Sequence, residues 1–210
     1  MPCYLPIQGT HSWHGCDTTA QWWQKDSPFN AYMKHYQFSL VGEDDPFIWS
    51  TDLDGVPFGR PEDLDWEAAG VNLRHYICPP RVSLEHHLPY DHRNLIAHSH
   101  GGQVVLYACA NGLKIRRLIT ICAPVRLNKR MRLVAAAAKP NIEHWLHIWS
   151  GHDDTIQWLG SLFDWQLRNR RAHPSAHANV HVPRVGHSRL LNDPLVFHLW
   201  EQQGWLDLLR

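Results

Sequence analysis

The chain has 210 residues, room for one compact α/β domain and too few for two sizeable ones. With 44% hydrophobic residues it can bury a core without disulfides or metal, and its 20 basic and 20 acidic residues leave no electrostatic footprint for nucleic acid or an anionic membrane. The departures from ordinary usage are 17 histidines, which make the surface cationic on acidification, and 11 tryptophans, which serve as core or as lining for an apolar ligand.

The stretch Met1 to Pro6 has no basic n-region and no apolar h-region. No apolar run approaches the ~20 residues that cross a bilayer. The expectation is a chain with no transmembrane segment, cytoplasmic, with a secreted form whose leader has been trimmed as the other reading. The five cysteines are widely spaced: Cys109 and Cys122 sit in apolar stretches and read as small core residues, and a Cys3–Cys16 pair is left open.

Short apolar runs alternate with amphipathic stretches, the pattern of a parallel sheet wrapped by helices. Tyr4 to Gln8 reads as a first strand ending at Gly9. Helical segments follow from Thr18 to Tyr36, interrupted at Ser27–Pro28. Phe38 to Val41 is a second strand, and Phe47 to Ser50 a short apolar run within a long loop. Pro61, Glu62 and Asp63 open a helix that runs to about Ile77. Asn94 to His98 is a third strand, and Gly101 to Asn111 a helix ended by Gly112. Leu118 to Cys122 is a fourth strand, Leu127 to Lys139 a basic, Ala-rich helix, and Trp145 to Ser150 a fifth strand. Thr155 to Arg170 reads as a helix and Val180 to Val185 as a sixth strand. A closing helix starts at Asn192–Asp193–Pro194. No repeat or linker divides the chain, so residues 1–210 are expected to form one domain.

The segment Ala97–His98–Ser99–His100–Gly101 stands between a strand and a helix, the setting a nucleophile elbow requires. A serine in so sharp a turn needs small residues two positions away, which Ala97 and Gly101 supply, and Gly102 lets the helix approach the sheet. The helix N-terminus adds backbone N–H groups and a positive dipole end where negative charge develops on a substrate. The plainer alternative is a strand–helix turn whose Ser99 only caps the helix.

The segment Asn94 to Gly102 resembles the elbow of α/β-hydrolases, and its Ala-x-Ser-x-Gly form is similar to that of small, lid-free bacterial lipases. The resemblance implies a minimal α/β-hydrolase fold of about six mostly parallel strands, lacking the family's first two, flanked by helices and without a large cap domain. It also implies a chain order of nucleophile, acid and histidine. Gly151–His152–Asp153–Asp154–Thr155–Ile156, after the fifth strand, resembles the family's acid loop and selects Asp154; Asp153 is the more natural helix cap. Val185–Gly186–His187–Ser188 follows the last strand and resembles the loop carrying the base, which selects His187. His181 and His198 fall inside a predicted strand and helix and fit less well. The oxyanion donors are expected at the backbone N–H groups of His100 and Thr10, because Gln8–Gly9–Thr10–His11 resembles the family's His-Gly-x segment, with Gln8 in place of the usual histidine.

His11, Trp13 and Trp49 are the candidates for lining the substrate pocket, with Trp22 and Trp23 either beside them or in the core. His173, His177 and His181, and separately Glu85, His86, His87, Asp91 and His92, have metal-ligand chemistry. Pro174 breaks the first set as a helical face, and neither has the Cys pairs or His-Glu motif that specify zinc, so no metal and no cofactor are expected. The basic run Arg126 to Arg132 reads as a solvated helix face. The expected activity is cleavage of small-molecule carboxylic esters or lipids through Ser99, His187 and Asp154. Phospholipase, thioesterase or acyltransferase action on the same fold, or an inactive binding module, are the rivals.

Overall fold

Most of the strands are apolar runs buried on both sides, which only a sheet covered by helices on both faces accommodates. The computed structural model describes residues 3–7, 9, 22–40, 47, 49, 62–78, 93–126, 128–151, 171–187, 189–204 and 207. Its strands are β1 (Cys3–Ile7), β2 (Ser39–Leu40), β3 (Asn94–His98), β4 (Ile115–Ile121), β5 (Ile142–Trp149) and β6 (Ala178–His181). The described helices are α1 (Pro28–His35), α2 (Glu62–Ile77), α3 (Gly101–Ala110), α4 (Lys129–Ala138) and α5 (Pro194–Gln202). The six strands are all parallel, in the order β2-β1-β3-β4-β5-β6. This is an α/β fold of the minimal α/β-hydrolase layout, and no large cap domain occurs among the described residues.

The two-residue period of a strand sends alternate side chains to opposite layers. Tyr4, Ile96, Ile119, Ile121, Leu146 and Ile148 pack with Phe29 and Met33 of α1 and Val196, Phe197 and Trp200 of α5. Leu5, Ile7, Leu95, Ala97, Leu118 and Trp145 pack with Trp66 and Leu73 of α2, Val104 and Ala108 of α3, and Met131 of α4. On that second face α2 and α3 cross closely, since a Cβ on Gly70 would meet Tyr107 Cβ at 2.7 Å and Ala108 N at 2.8 Å.

Local chemistry starts the helices where side chains can cap them. Ser27 caps α1, accepting from the Asn30 N–H, with Pro28 in the first turn; Asn128 caps α4 and Asp193 caps α5, again followed by proline. Several element boundaries differ from those expected. Residues 22–27 form turns and not a helix, because Ser27 Oγ donates to the Trp22 carbonyl at 2.6 Å and Asn30 Nδ2 to that of Trp23 at 3.0 Å. Strands β4 and β5 each begin three residues early, their first turns of ladder carrying the polar pairs Arg116–Arg117 and Glu143–His144. Strand β6 ends at His181, ahead of Pro183, with Arg184 at φ +61° turning the chain toward His187. The expected helix from Thr155 to Arg170 lies outside the described residues. Cys3 carries a free thiol, as do Cys78, Cys109 and Cys122. Among the described residues no helix is long and apolar enough to cross a membrane.

Candidate active site

The strand order reverses between β1 and β3: β1 has β2 on one side and β3 on the other, the topology that in open α/β sheets sets ligand sites at the carboxyl ends of the strands. Ser99 directly follows β3 there, with φ +53°, a left-handed conformation that costs a non-glycine residue about 1–3 kcal/mol. The turn is over-determined by its neighbours. The Ser99 N–H donates to the Ile121 carbonyl at 2.9 Å, and the Ser99 carbonyl accepts from the Gly102 N–H at 3.1 Å. Gly102 is required by space, because a Cβ there would sit 2.6 Å from Ala123 Cβ. His100 is the N-cap residue of α3 but makes no side-chain cap bond.

Gly9, two residues beyond β1, lies against the serine: a Cβ on Gly9 would be 2.8 Å from Ser99 Cβ and 3.3 Å from Ser99 Oγ. Gly9 itself therefore lies beside the hydroxyl at backbone distance. Thr10, His11 and Trp13 lie outside the described residues, as do Asp153 and Asp154. Trp49 is buried in the same apolar cluster as Trp66, while Trp22 and Trp23 are buried in the opposite layer.

His187 is buried, and its ring centroid lies 4.7 Å from that of His98. Its carbonyl accepts a hydrogen bond from His98 Nε2 at 3.3 Å; a carbonyl can only accept, so His98 carries its proton on Nε2. The loop holding His187 is rooted to β5 by two further bonds. Ser150 Oγ donates to the Val185 carbonyl, and the Val182 N–H donates to the Trp149 carbonyl at 2.9 Å.

Both residues flanking Ser99 are held neutral. His98 is pushed down to about 3, first by burial, then by the neighbouring His187 against its hydrogen bond to that residue's carbonyl, and by His100. His100 is also lowered to about 3, by burial, by Arg126 and by His187. His100 packs on Trp66 at 4.9 Å, and the Arg126 guanidinium covers that indole at 4.5 Å. The basic run is thus only partly a solvated face: Arg126 precedes α4 and packs inward, and Arg130 pairs with Glu67 of α2 at 2.6 Å. Composition showed neither role. The one signal for His98 was its place in β3, where alternation turns it away from Ala97 and onto the layer of Ile96.

A second histidine cluster lies along β5. Trp145 Nε1 donates to Thr120 Oγ1 at 3.0 Å, and Thr120 Oγ1 lies 2.8 Å from His147 Nδ1. His147 Nε2 faces the Arg171 carbonyl at 3.1 Å, which places the proton on Nε2 and makes Nδ1 the acceptor from Thr120. His173 packs on Trp145 at 4.3 Å and is tied to Asn179 through its backbone, while His177 Nδ1 accepts from the Trp145 N–H at 2.9 Å. His181 instead stacks on Trp149 at 4.1 Å. Among the described residues no three His, Cys, Asp or Glu side chains converge to hold a metal.

No protein-family model matches the chain, and no curated protein matches its sequence. Among solved structures, TT1662 from Thermus thermophilus is 16% identical with a TM-score of 0.49, covering 99% of this chain and 89% of its own. An acetyl ester-xyloside bifunctional hydrolase from Caldicellulosiruptor lactoaceticus is 15% identical with a TM-score of 0.43, covering 98% of this chain and 84% of its own. The chemistry of the site rests on this chain's own residues.

Proposed function

We propose that the chain is a serine hydrolase that cleaves carboxylic esters by acyl transfer at Ser99. The observation that carries the reading is the serine's left-handed turn at the carboxyl end of β3, with Gly9 beside its hydroxyl and His187 packed against the preceding residue. A merely capping serine needs no such strain, because a cap residue adopts ordinary extended backbone, as Ser27 does. In the proposed reaction His187 takes the Ser99 proton as the hydroxyl attacks the ester carbonyl. The backbone N–H groups of His100 and Thr10 stabilise the oxyanion, aided by the N-terminal dipole of α3. Asp154 orients His187 and stabilises its imidazolium. His187 then protonates the departing alcohol, and water, activated by the same imidazole, releases the acid and restores Ser99.

The test is a panel of chromogenic carboxylic esters of graded acyl length, with a thioester and a phospholipid beside them, run on the wild type and on Ser99→Ala. The wild type is expected to turn over the esters, and Ser99→Ala to lose at least about 10⁴-fold in kcat while its circular dichroism is unchanged. An equally active Ser99→Ala would overturn the assignment. Preference for the thioester or the phospholipid would redirect the substrate class while leaving the nucleophile in place.

A further inference from the structure

The bond between His98 and the backbone of His187 joins the residue before the proposed nucleophile to the residue proposed as base. Resting on the reading of Ser99 and His187 above, we propose that His98 is a positioning residue that sets where the base sits. Its own place is rigid. His98 closes β3, in register with Ile121 of β4, and the next residue, Ser99, donates its N–H to that same Ile121. On one side the His98 ring meets Trp22 edge-on at 6.5 Å; on the other it packs at 4.7 Å and 49° on the His187 ring. The Nε2–H to carbonyl bond then fixes the backbone of the base itself. Nucleophile and clamp are adjacent residues of one strand end, so any movement of the sheet carries both, and the distance from Ser99 to His187 is held from the serine's side.

The clamp must also stay uncharged, since an imidazolium at His98 would oppose the one that forms on His187 during the reaction. Among the described residues the titratable groups around His98 are His187 and His100, and together with burial they keep it neutral at working pH. A carbonyl oxygen needs a donor on this ring, which a phenyl ring of similar size lacks and a glutamine amide supplies.

Two variants separate the hydrogen bond from the packing. His98→Phe keeps a ring against His187 and Trp22 but has no donor, whereas His98→Gln keeps an N–H donor without the ring. Misplacing a base by a fraction of an ångström lowers kcat more than it alters binding. His98→Phe is expected to lose about 10- to 100-fold in kcat on the best ester with KM within about twofold, and His98→Gln to recover most of that loss. Wild-type kcat in His98→Phe, or equal losses in both variants, would overturn the proposal. A readout that needs no variant is the imidazole ¹⁵N NMR of the wild type. It should report His98 protonated on Nε2, and a proton on Nδ1 would contradict the clamp. If instead no ester is turned over and a phosphonate fails to label Ser99, the serine reading has failed. The tautomer still decides whether the His98–His187 bond exists.

Discussion

Two histidine clusters lie on the sheet, and in each of them two rings are driven neutral by burial. Around Ser99, His98 and His100 are lowered to about 3; along β5, His147 and His173 are lowered to about 4 and about 3. What separates them is the company they keep. The β5 cluster ends in backbone carbonyls and indole rings, a chain from Trp145 through Thr120 and His147 to Arg171 whose one hydroxyl, on Thr120, is buried and tied to Trp145 and His147. The Ser99 cluster instead surrounds a serine with a strained backbone at the carboxyl end of β3. A depressed pKa alone therefore does not mark a catalytic histidine in this molecule, since burial produces the same shift wherever the core closes over a ring. Geometry distinguishes the two, and geometry can be broken selectively.

The largest effect of such a break is expected at Gly9. The Cβ introduced by Gly9→Ala must push the β1 loop or Ser99 out of place, and a shift of that size is worth about 10²-fold in kcat. The same variant leaves the β5 cluster untouched, so its unfolding midpoint should move little. A Gly9→Ala enzyme with wild-type kcat, assayed on the ester that the wild type prefers, would mean that the serine does not react from this turn.

The β5 cluster should respond to acid and not to substrate. In the unfolded chain His147 and His173 take up protons below about 6.5, while in the folded chain these two stay neutral until near 3 to 4. Folding stability is therefore intact above about pH 6.5 and is lost as the pH falls toward those folded values. At pH 5 the cost is about 2 kcal/mol for each of His147 and His173. His98 and His100 add loss in the same direction. Urea unfolding at pH 7.5 and pH 5 measures the sum. His147→Gln, which keeps a donor and an acceptor without a titrating ring, should reduce the pH dependence by about 2 kcal/mol. An unchanged pH dependence in that variant would show that His147 titrates alike in folded and unfolded chains.

The sequence made the Ser99 turn legible because everything it needs is within a few residues. The apolar run of β3, the small Ala97, the serine and the glycines that open α3 form one continuous signal, and the boundaries of β3 agree to the residue. The capped helix start at Asp193 is local in the same way. The starts of β4 and β5 were hidden because charged residues occupy the amino ends of strands whose middles alone are apolar. The contacts of His98 with His187, Trp66 with His100 and Thr120 with His147 are set by register and by loops closing over the sheet. No spacing in one sequence encodes these. Among 17 histidines, type and position alone could nominate His187 but could not show that its carbonyl is held by the residue beside the serine.

The central claim is that Ser99 is the nucleophile, and the direct measurement is covalent. Incubation of the wild-type protein with a fluorophosphonate, followed by proteolysis and mass spectrometry, should place a single stoichiometric adduct on the peptide containing Ser99. Labelling should be lost in Ser99→Ala and slowed in His98→Phe. An adduct on any other serine, or none from a protein that hydrolyses esters, would contradict the account.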